Sequence, residues 1–401
     1  MGSVLRGAYM KIGLFLGTEP YSGGMFQYNQ AMLAALDALQ DENHFVVVAY
    51  TSKLWEEHLQ GGIKLKSIFI KNGFWGRAAR YTWSWLQLPV SIWRRICPFF
   101  HPVAKALLAA RCDLWIIPTQ NDYSFQMPVP VLATIHDLMH RYESRFPEVS
   151  AAGMYRMREW GSRNTCSWAR GVLVDSDIGK QHVMESYGLR EDRIHVLPYV
   201  APRYIYADQV PEGFDRRYPL PQKFIFYPAQ FWEHKNHKRL ITSVGLLKPS
   251  IPDLKLVLTG SIKSGFQSVI ELIQKLKLTD DVVILGYVPD EDMPELYRRA
   301  RALIMPTFFG PTNIPPLEAF VAGCPVAISG IYGMPDQVGD AALLFNPSSL
   351  EEISQCIRSL WTDDNLCARL KERGRQKAAS WGQPQFNDRL RSIVDHIVKV
   401  N

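Results

Sequence analysis

Short apolar runs alternate with longer amphipathic stretches along this chain, and the whole alternation occurs twice. Few folds accept that pattern. Continuous Val, Ile and Leu runs, as opposed to alternating ones, suit parallel strands covered by helices on both faces. The first half offers strands at Lys11–Leu16, Phe45–Tyr50, Leu65–Ile70, Leu114–Ile117, Val131–Ile135, Gly171–Val174 and Ile194–Leu197. The second offers Phe224–Tyr227, Leu254–Thr259, Val282–Leu285, Ala302–Met305 and Pro325–Ile328. Between the sets lies Pro198–Pro221, rich in Pro, Tyr and charge and without periodicity, which marks a domain boundary. The expected fold is α/β, with two doubly wound, Rossmann-like domains over residues 1–203 and 204–382. Ligands would sit at the strand carboxyl ends, in a cleft that the two domains share. A last helix, Gln385–Val400, follows Ser380-Trp381 and forms a closing segment, 383–401.

A length of 401 residues suits two domains, and 47% hydrophobic against 21% charged residues is a globular composition. The six cysteines (Cys97, Cys112, Cys166, Cys324, Cys356 and Cys367) are scattered, with neither C-x-x-C nor metal-ligand spacing. Reduced thiols in a cytoplasmic protein are therefore expected. The apolar run Ile12–Leu16 is short for a signal peptide. No stretch approaches the ~20 residues that span a bilayer.

The net charge of +6 is unevenly placed. Between Glu57 and Asp113 there is no acidic residue, while Lys64, Lys66, Lys71, Arg77, Arg80, Arg94, Arg95, Lys105 and Arg111 all fall there. One positive patch facing a negative partner follows. Within it, a helix over Arg77–Ile96 would align Arg77, Arg80, Ser84, Gln87, Ser91, Arg94 and Arg95 on a narrow polar face. Trp83, Trp85, Leu86, Leu88, Val90, Ile92 and Trp93 would lie opposite, with a kink at Pro89. Such a helix suits an anionic membrane interface, or it packs on the N-terminal sheet with its stripe in water. Aromatics among arginines also suit stacking on bases, but no nucleic-acid-binding fold fits the chain. No nucleic-acid partner is expected.

Six segments carry possible chemistry. After the strand Ala302–Met305, a Gly310-Pro311-Thr312-Asn313 turn leads through Ile314 into a helix that opens on Pro315-Pro316 and closes at Gly323. Free N–H groups at that helix start would point at an anion such as pyrophosphate, and Glu318 among them would accept from a neutral hydroxyl such as a ribose. The same residues also suit an ordinary βα unit. Gly23-Gly24 follows the first strand, either as a tight turn or as a loop approaching a phosphate. His136 ends the run Val131–Ile135, where it either projects into the cleft or ties a loop, and His140 is expected at the surface. Lys235 in Gln230-Phe231-Trp232-Glu233-His234-Lys235-Asn236 would neutralise a diphosphate. Gly286-Tyr287-Val288-Pro289 follows another strand. Asp175-Ser176-Asp177 could hold a divalent ion, but Asp177 at a helix start reads as its N-cap.

Apart from Asp175-Ser176-Asp177, these segments together resemble the signatures of the family 4 retaining glycosyltransferases, which have the GT-B fold of two facing Rossmann-like domains. The family loop reads E-G-F-G-x-P-x-x-E. Pro315, Pro316, Leu317, Glu318, Ala319 and Gly323 match, and Gly310 stands at the first glutamate. That glutamate contacts donor-sugar hydroxyls, so the resemblance implies Asn313, or the backbone of Thr312 and Asn313, in its place. Thr134-Ile135-His136-Asp137 matches a segment whose His approaches the donor sugar. Lys235 and Asn236 match the end of G-R-x-x-x-x-K-N, with Gln230 at the arginine. Gly23 and Gly24 match a loop between donor phosphate and acceptor, and Tyr287 and Val288 a loop that reads the base.

The resemblance implies a metal-independent enzyme without cofactor, with His136, Lys235 and Glu318 as catalytic residues. It would move a hexose from a nucleoside diphosphate sugar, GDP-mannose being one such donor, to a lipid-linked or polysaccharide acceptor. That places it in cell-surface glycan biosynthesis, such as lipopolysaccharide O-antigen or exopolysaccharide, peripheral on the inner membrane face. Arg77, Arg80, Trp83, Trp85, Trp93, Arg94 and Arg95 would meet membrane or acceptor, and the last helix would cross back to the N-terminal domain. A nucleotide-sugar epimerase of the same fold, or a non-catalytic subunit of a glycan assembly complex, are the rival readings.

Overall fold

The computed structural model describes residues 9–20, 23–41, 43–60 and 65–399. Tyr21 and Ser22 of the glycine loop, Lys64 of the basic stretch and Val400 of the last helix lie outside the described residues. Strands β1 (Met10–Leu16), β2 (His44–Tyr50), β3 (Lys66–Phe69), β4 (Leu114–Ile117), β5 (Val131–Thr134), β6 (Gly171–Val174) and β7 (Ile194–Val196) form one parallel sheet, ordered β3-β2-β1-β4-β5-β6-β7. A second parallel sheet, ordered β10-β9-β8-β11-β12-β13, holds β8 (Ile225–Pro228), β9 (Leu256–Thr259), β10 (Val282–Ile284), β11 (Ala302–Met305), β12 (Val326–Ser329) and β13 (Ala342–Phe345). Strands β4, β5, β9 and β11 are buried along their whole length, as continuous apolar runs require. Both sheets reverse their winding at one strand pair, β1 beside β4 and β8 beside β11. Such switch points open a crevice at the strand carboxyl ends.

Strand β13 was not among the expected strands. It is an edge strand that leaves Leu344 exposed, so its ladder with β12, not burial, makes it a strand. Gly13 faces Trp115 in the β1–β4 ladder, and a Cβ there would lie 2.3 Å from the indole. Gly13→Ala is expected to destabilise the first sheet by ~1–3 kcal/mol through overpacking. A melting curve reads this, and an unchanged midpoint would mean the ring has room to shift.

The chain forms two compact units. One runs to Arg141, resumes over Gly153–Pro198 and takes the chain back from Gln383. The other holds Tyr142–Ala152 and Tyr199–Gly382. The sequence places 142–152 in the N-terminal domain, but this strap is tied to the second unit. Glu148 accepts from the His234 backbone N–H at 3.0 Å and pairs with its Nδ1 at 2.5 Å, and Tyr332 donates to Glu143. The last helix, Gln383–Lys399, belongs to the first unit, where Asp395 meets His44 and Arg391 meets Asp41.

Two helix expectations are corrected. Arg77–Ile96 is not one kinked helix but two, Phe74–Leu86 and Val90–Phe100, parted by Gln87 in left-handed conformation ahead of Pro89. The left-handed residue ends the first helix, and Pro89 disfavours a helical Leu88 before it. The Asp177–Tyr187 helix is capped by Ser176, whose Oγ accepts from Gly179 N at 3.1 Å, and Asp177 is its first residue.

Candidate functional site

At the switch point of the second sheet, the loops after β8 and β11 are stitched together. The loop after β8 ends in a 3-10 turn, Glu233–Lys235, followed by Asn236 with φ 62°, a conformation that asparagine tolerates. The Asn236 side-chain amide donates to the carbonyls of Pro306 at 2.8 Å and Pro347 at 2.9 Å. His234 O accepts from Phe308 N at 2.8 Å. Lys235 is thereby fixed beside the loop that carries Gly310, and Tyr227 donates to its carbonyl at 3.0 Å. Asn236 is corrected from a donor-binding group to the tether that positions its neighbour, because both its amide hydrogens are engaged. Gln230, at the position of the family arginine, accepts from the Trp232 indole at 2.9 Å.

Gly310 takes φ +132°, and a Cβ there would meet the Asn313 side chain at 2.6 Å. The carboxamide of Asn313 thus fills the place that a larger residue 310 would occupy. Asn313 is 8% exposed, and its Nδ2 has no hydrogen-bond partner. Its backbone is clamped by Gln337, which accepts from Asn313 N at 3.0 Å and donates to Asn313 O at 2.6 Å. That N–H, expected to face an anion, is therefore engaged inside the protein. Pro311 is buried, and Thr312 and Ile314 are half-buried. The helix Pro315–Ala322 opens with its prolines, returns the N–H groups of Leu317 and Glu318 to Ile314 O, and closes at Gly323 with φ 71°.

Glu318 is buried, and both carboxylate oxygens accept tyrosine hydroxyls, one from Tyr204 and one from Tyr297. Burial raises its pKa, with the two hydroxyls and the charge of Asp290 acting against and with that shift respectively. Burial beside the carboxylate holds both phenols well above their usual range. Each carboxylate oxygen thus already accepts one hydroxyl from within the protein. Asp290 and Tyr287 also act on Tyr204, which brings the Gly286–Pro289 loop to this cluster. Tyr287 is 60% exposed, whereas Val288 is a core residue that can offer a ligand only its backbone.

In the first unit, His136 Nε2 lies 2.8 Å from Pro118 O, its N–H donates to Gln120 Oε1 at 2.9 Å, and its ring meets Tyr28 edge-on. Burial lowers its pKa, so the neutral imidazole, donating from Nε2 to the carbonyl, is the stable form. It ties the ends of β4 and β5. His140, expected at the surface, is fully buried, 3.3 Å from Glu159, which the guanidinium of Arg141 holds at a pKa of about 2. Gly23 takes φ 70° ahead of the Gly24–Leu39 helix, a conformation that favours glycine. Among the described residues, no group of three or more His, Cys, Asp or Glu could hold a metal.

Part of the polar stripe, for which membrane interface and water were the two readings, turns inward, while Arg77, Ser91 and Arg95 stay exposed. Arg80 pairs with Asp122 at 3.5 Å over the Tyr123 ring, Arg94 donates to the Phe125 and Met127 carbonyls, and Ser84 and Trp93 are buried. Trp83 is half-buried against Trp93. Only Arg77, Trp85 and Arg95 of the seven residues assigned to membrane or acceptor face solvent.

Residues 22–199 match the model of Glycosyltransferase Family 4, and residues 213–377 that of Glycosyl transferases group 1. The chain belongs to the family 4 glycosyltransferases. This glycosyltransferase is 27% identical to O-antigen chain mannosyltransferase B of Escherichia coli, over 69% of its own length and 76% of the relative's. It is 26% identical to mannosylfructose-phosphate synthase of Agrobacterium fabrum, over 52% of the chain and 49% of that enzyme. Among solved structures, a glycosyltransferase from Rickettsia africae superposes with a TM-score of 0.71 at 16% identity, covering 98% of this chain and all of that one. Anabaena HepE, solved in complex with UDP and glucose, gives 0.70 at 15% identity over 96% and 100%. Both likenesses bear on the fold, which is GT-B.

Sequence reasoning missed three groups that build this glycosyltransferase's second-unit site: Tyr204, Tyr297 and Gln337. Tyr204 stands in the aperiodic stretch read as a boundary, and Gln337 lies 24 residues beyond the Asn313 it clamps. No local signal marks either one.

Proposed function

We propose that this glycosyltransferase moves a hexosyl unit, with retention of configuration and without a metal, from a nucleoside diphosphate sugar to a lipid-linked or polysaccharide acceptor. The product would be a cell-surface glycan of the O-antigen kind, made at the inner membrane face. The observation that supports this reading is the pair of stitched loops at the switch point, where Asn236 and His234, on either side of Lys235, bond to Pro306 and Phe308 of the loop that leads to Gly310. Similarity to an E. coli O-antigen mannosyltransferase supports the donor class and the product.

In this reading Lys235 meets the diphosphate, where a fixed cation stabilises charge as the leaving group departs. The bond from the anomeric carbon to the diphosphate oxygen breaks, and the acceptor oxygen bonds on the same face. The acceptor's hydroxyl proton passes to the diphosphate. Asn313 faces the sugar with an unpaired amide hydrogen. Glu318 meets the ribose through lone pairs that its tyrosines leave, each carboxylate oxygen having two.

The test is a reaction of the purified chain with GDP-mannose or UDP-glucose, a lipid-linked acceptor and EDTA, with the product's anomeric configuration read by NMR. Transfer with retention in chelator is expected. Loss in EDTA with rescue by Mn²⁺ would move the metal role to Asp175 and Asp177. Conversion of the donor without acceptor would favour an epimerase.

A further inference from the structure

The helices Phe74–Leu86 and Val90–Phe100 are built inside out. Arg80, Ser84 and Arg94 bond to the protein, while many of the large apolar side chains stand in water. Phe74 is 68% exposed, Trp75 82%, Tyr81 66%, Trp85 63%, Ile92 49% and Phe99 80%. Soluble proteins seldom leave so many large apolar side chains together, and such a patch marks an interaction surface. The inward arginines fix this sidedness, since Arg80 is held by Asp122 and Arg94 by two carbonyls. Rolling either helix over to hide its aromatics would strand those groups.

Charge selects the occupant. No acidic residue lies in 58–112, whereas Lys71, Arg77, Arg95, Lys105 and Arg111 are exposed there. A second copy of this chain would bring the same cations against one another across a two-fold axis, with no carboxylate on either patch to answer them. An anionic bilayer surface answers both features, with negative headgroups for the cations and an interfacial zone for Trp, Tyr and Phe. We propose that this double-helix face docks the protein on a membrane carrying acidic phospholipid, its outward aromatics in the interfacial layer. This deepens the proposed function and rests on it in one respect, because a lipid-linked acceptor would be met at that surface. The contacting set differs from the one the sequence named: Phe74, Trp75 and Phe99 enter it, and Arg80, Trp93 and Arg94 leave it.

The experiment floats the full chain with vesicles of phosphatidylglycerol and phosphatidylcholine, and with phosphatidylcholine alone, at low and high salt. The wild type is expected to float with the acidic vesicles and to lose binding as salt rises. Phe74→Ser/Trp75→Ser/Phe99→Ser should lower the partition coefficient by about 100-fold, since binding scales with buried apolar area. Calorimetry with GDP-mannose and UDP-glucose on the same samples reads the second unit separately. If neither nucleotide sugar binds while the wild type floats, the transferase reading fails and the docking face stands. A wild type that stays at the bottom of the gradient, a triple variant that floats like it, or a dimer in sedimentation that the triple variant abolishes without lipid binding, each overturns the proposal.

Discussion

Lys235→Ala is expected to lower turnover at least ~10²-fold with an unchanged circular dichroism spectrum, because a preorganised cation at a leaving diphosphate is worth several kcal/mol in the transition state. The fold should survive, since the Tyr227 hydroxyl on the Lys235 carbonyl and the Asn236 amide on Pro306 and Pro347 remain in the variant. Glu318→Ala should lower turnover as far but by a mixed route. It strips the acceptor from two buried tyrosine hydroxyls, Tyr204 and Tyr297, and each such orphan costs about 1–3 kcal/mol. Its melting midpoint should therefore fall. Wild-type rates in both variants would remove these residues from the site. An unchanged midpoint for Glu318→Ala would mean that the tyrosines find other partners.

Gly310→Glu, which restores the glutamate of the family loop, should damage the enzyme. The new Cβ would lie 2.6 Å from the Asn313 amide, on a backbone with φ +132°. Strain of that kind costs roughly 1–3 kcal/mol, before any clash is relieved. Turnover should fall at least ~10-fold, given how steeply rate depends on placement of the groups that position substrate. Asn313→Gly in the same chain clears the space and should recover part of the stability, which a double-mutant cycle measures as coupling between the two positions. Additive effects, or a single Gly310→Glu variant as stable and active as wild type, would show that Asn313 does not hold the glutamate's place. Coupling between the two positions would make the departure at Gly310 half of an exchange whose other half is Asn313.

What was legible in the sequence was what depends on near neighbours. Continuous apolar runs gave twelve of the thirteen described strands, because a strand buried on both faces must be apolar throughout. The prolines and Gly323 bounded the Pro315–Ala322 helix, since φ restriction and left-handed tolerance belong to single residues. The same locality brought Lys235 and the Gly310 turn to strand ends.

Tertiary structure alone decided which way things face and what they meet. Helical spacing over Arg77–Ile96 showed a polar and an apolar face, but a period is blind to which face has partners. Asp122, Phe125 and Met127 settled that by claiming Arg80 and Arg94. Glu318 was visible as a carboxylate at a helix start, yet Tyr204 lies 114 residues away and only packing brings it there. His140 looked like a surface residue until Glu159 and Arg141 closed over it. Sequence fixes periodicity and local backbone preference, which are properties of adjacent residues. Hydrogen-bond partners and exposure depend on segments far apart in the chain, and only the folded arrangement supplies those.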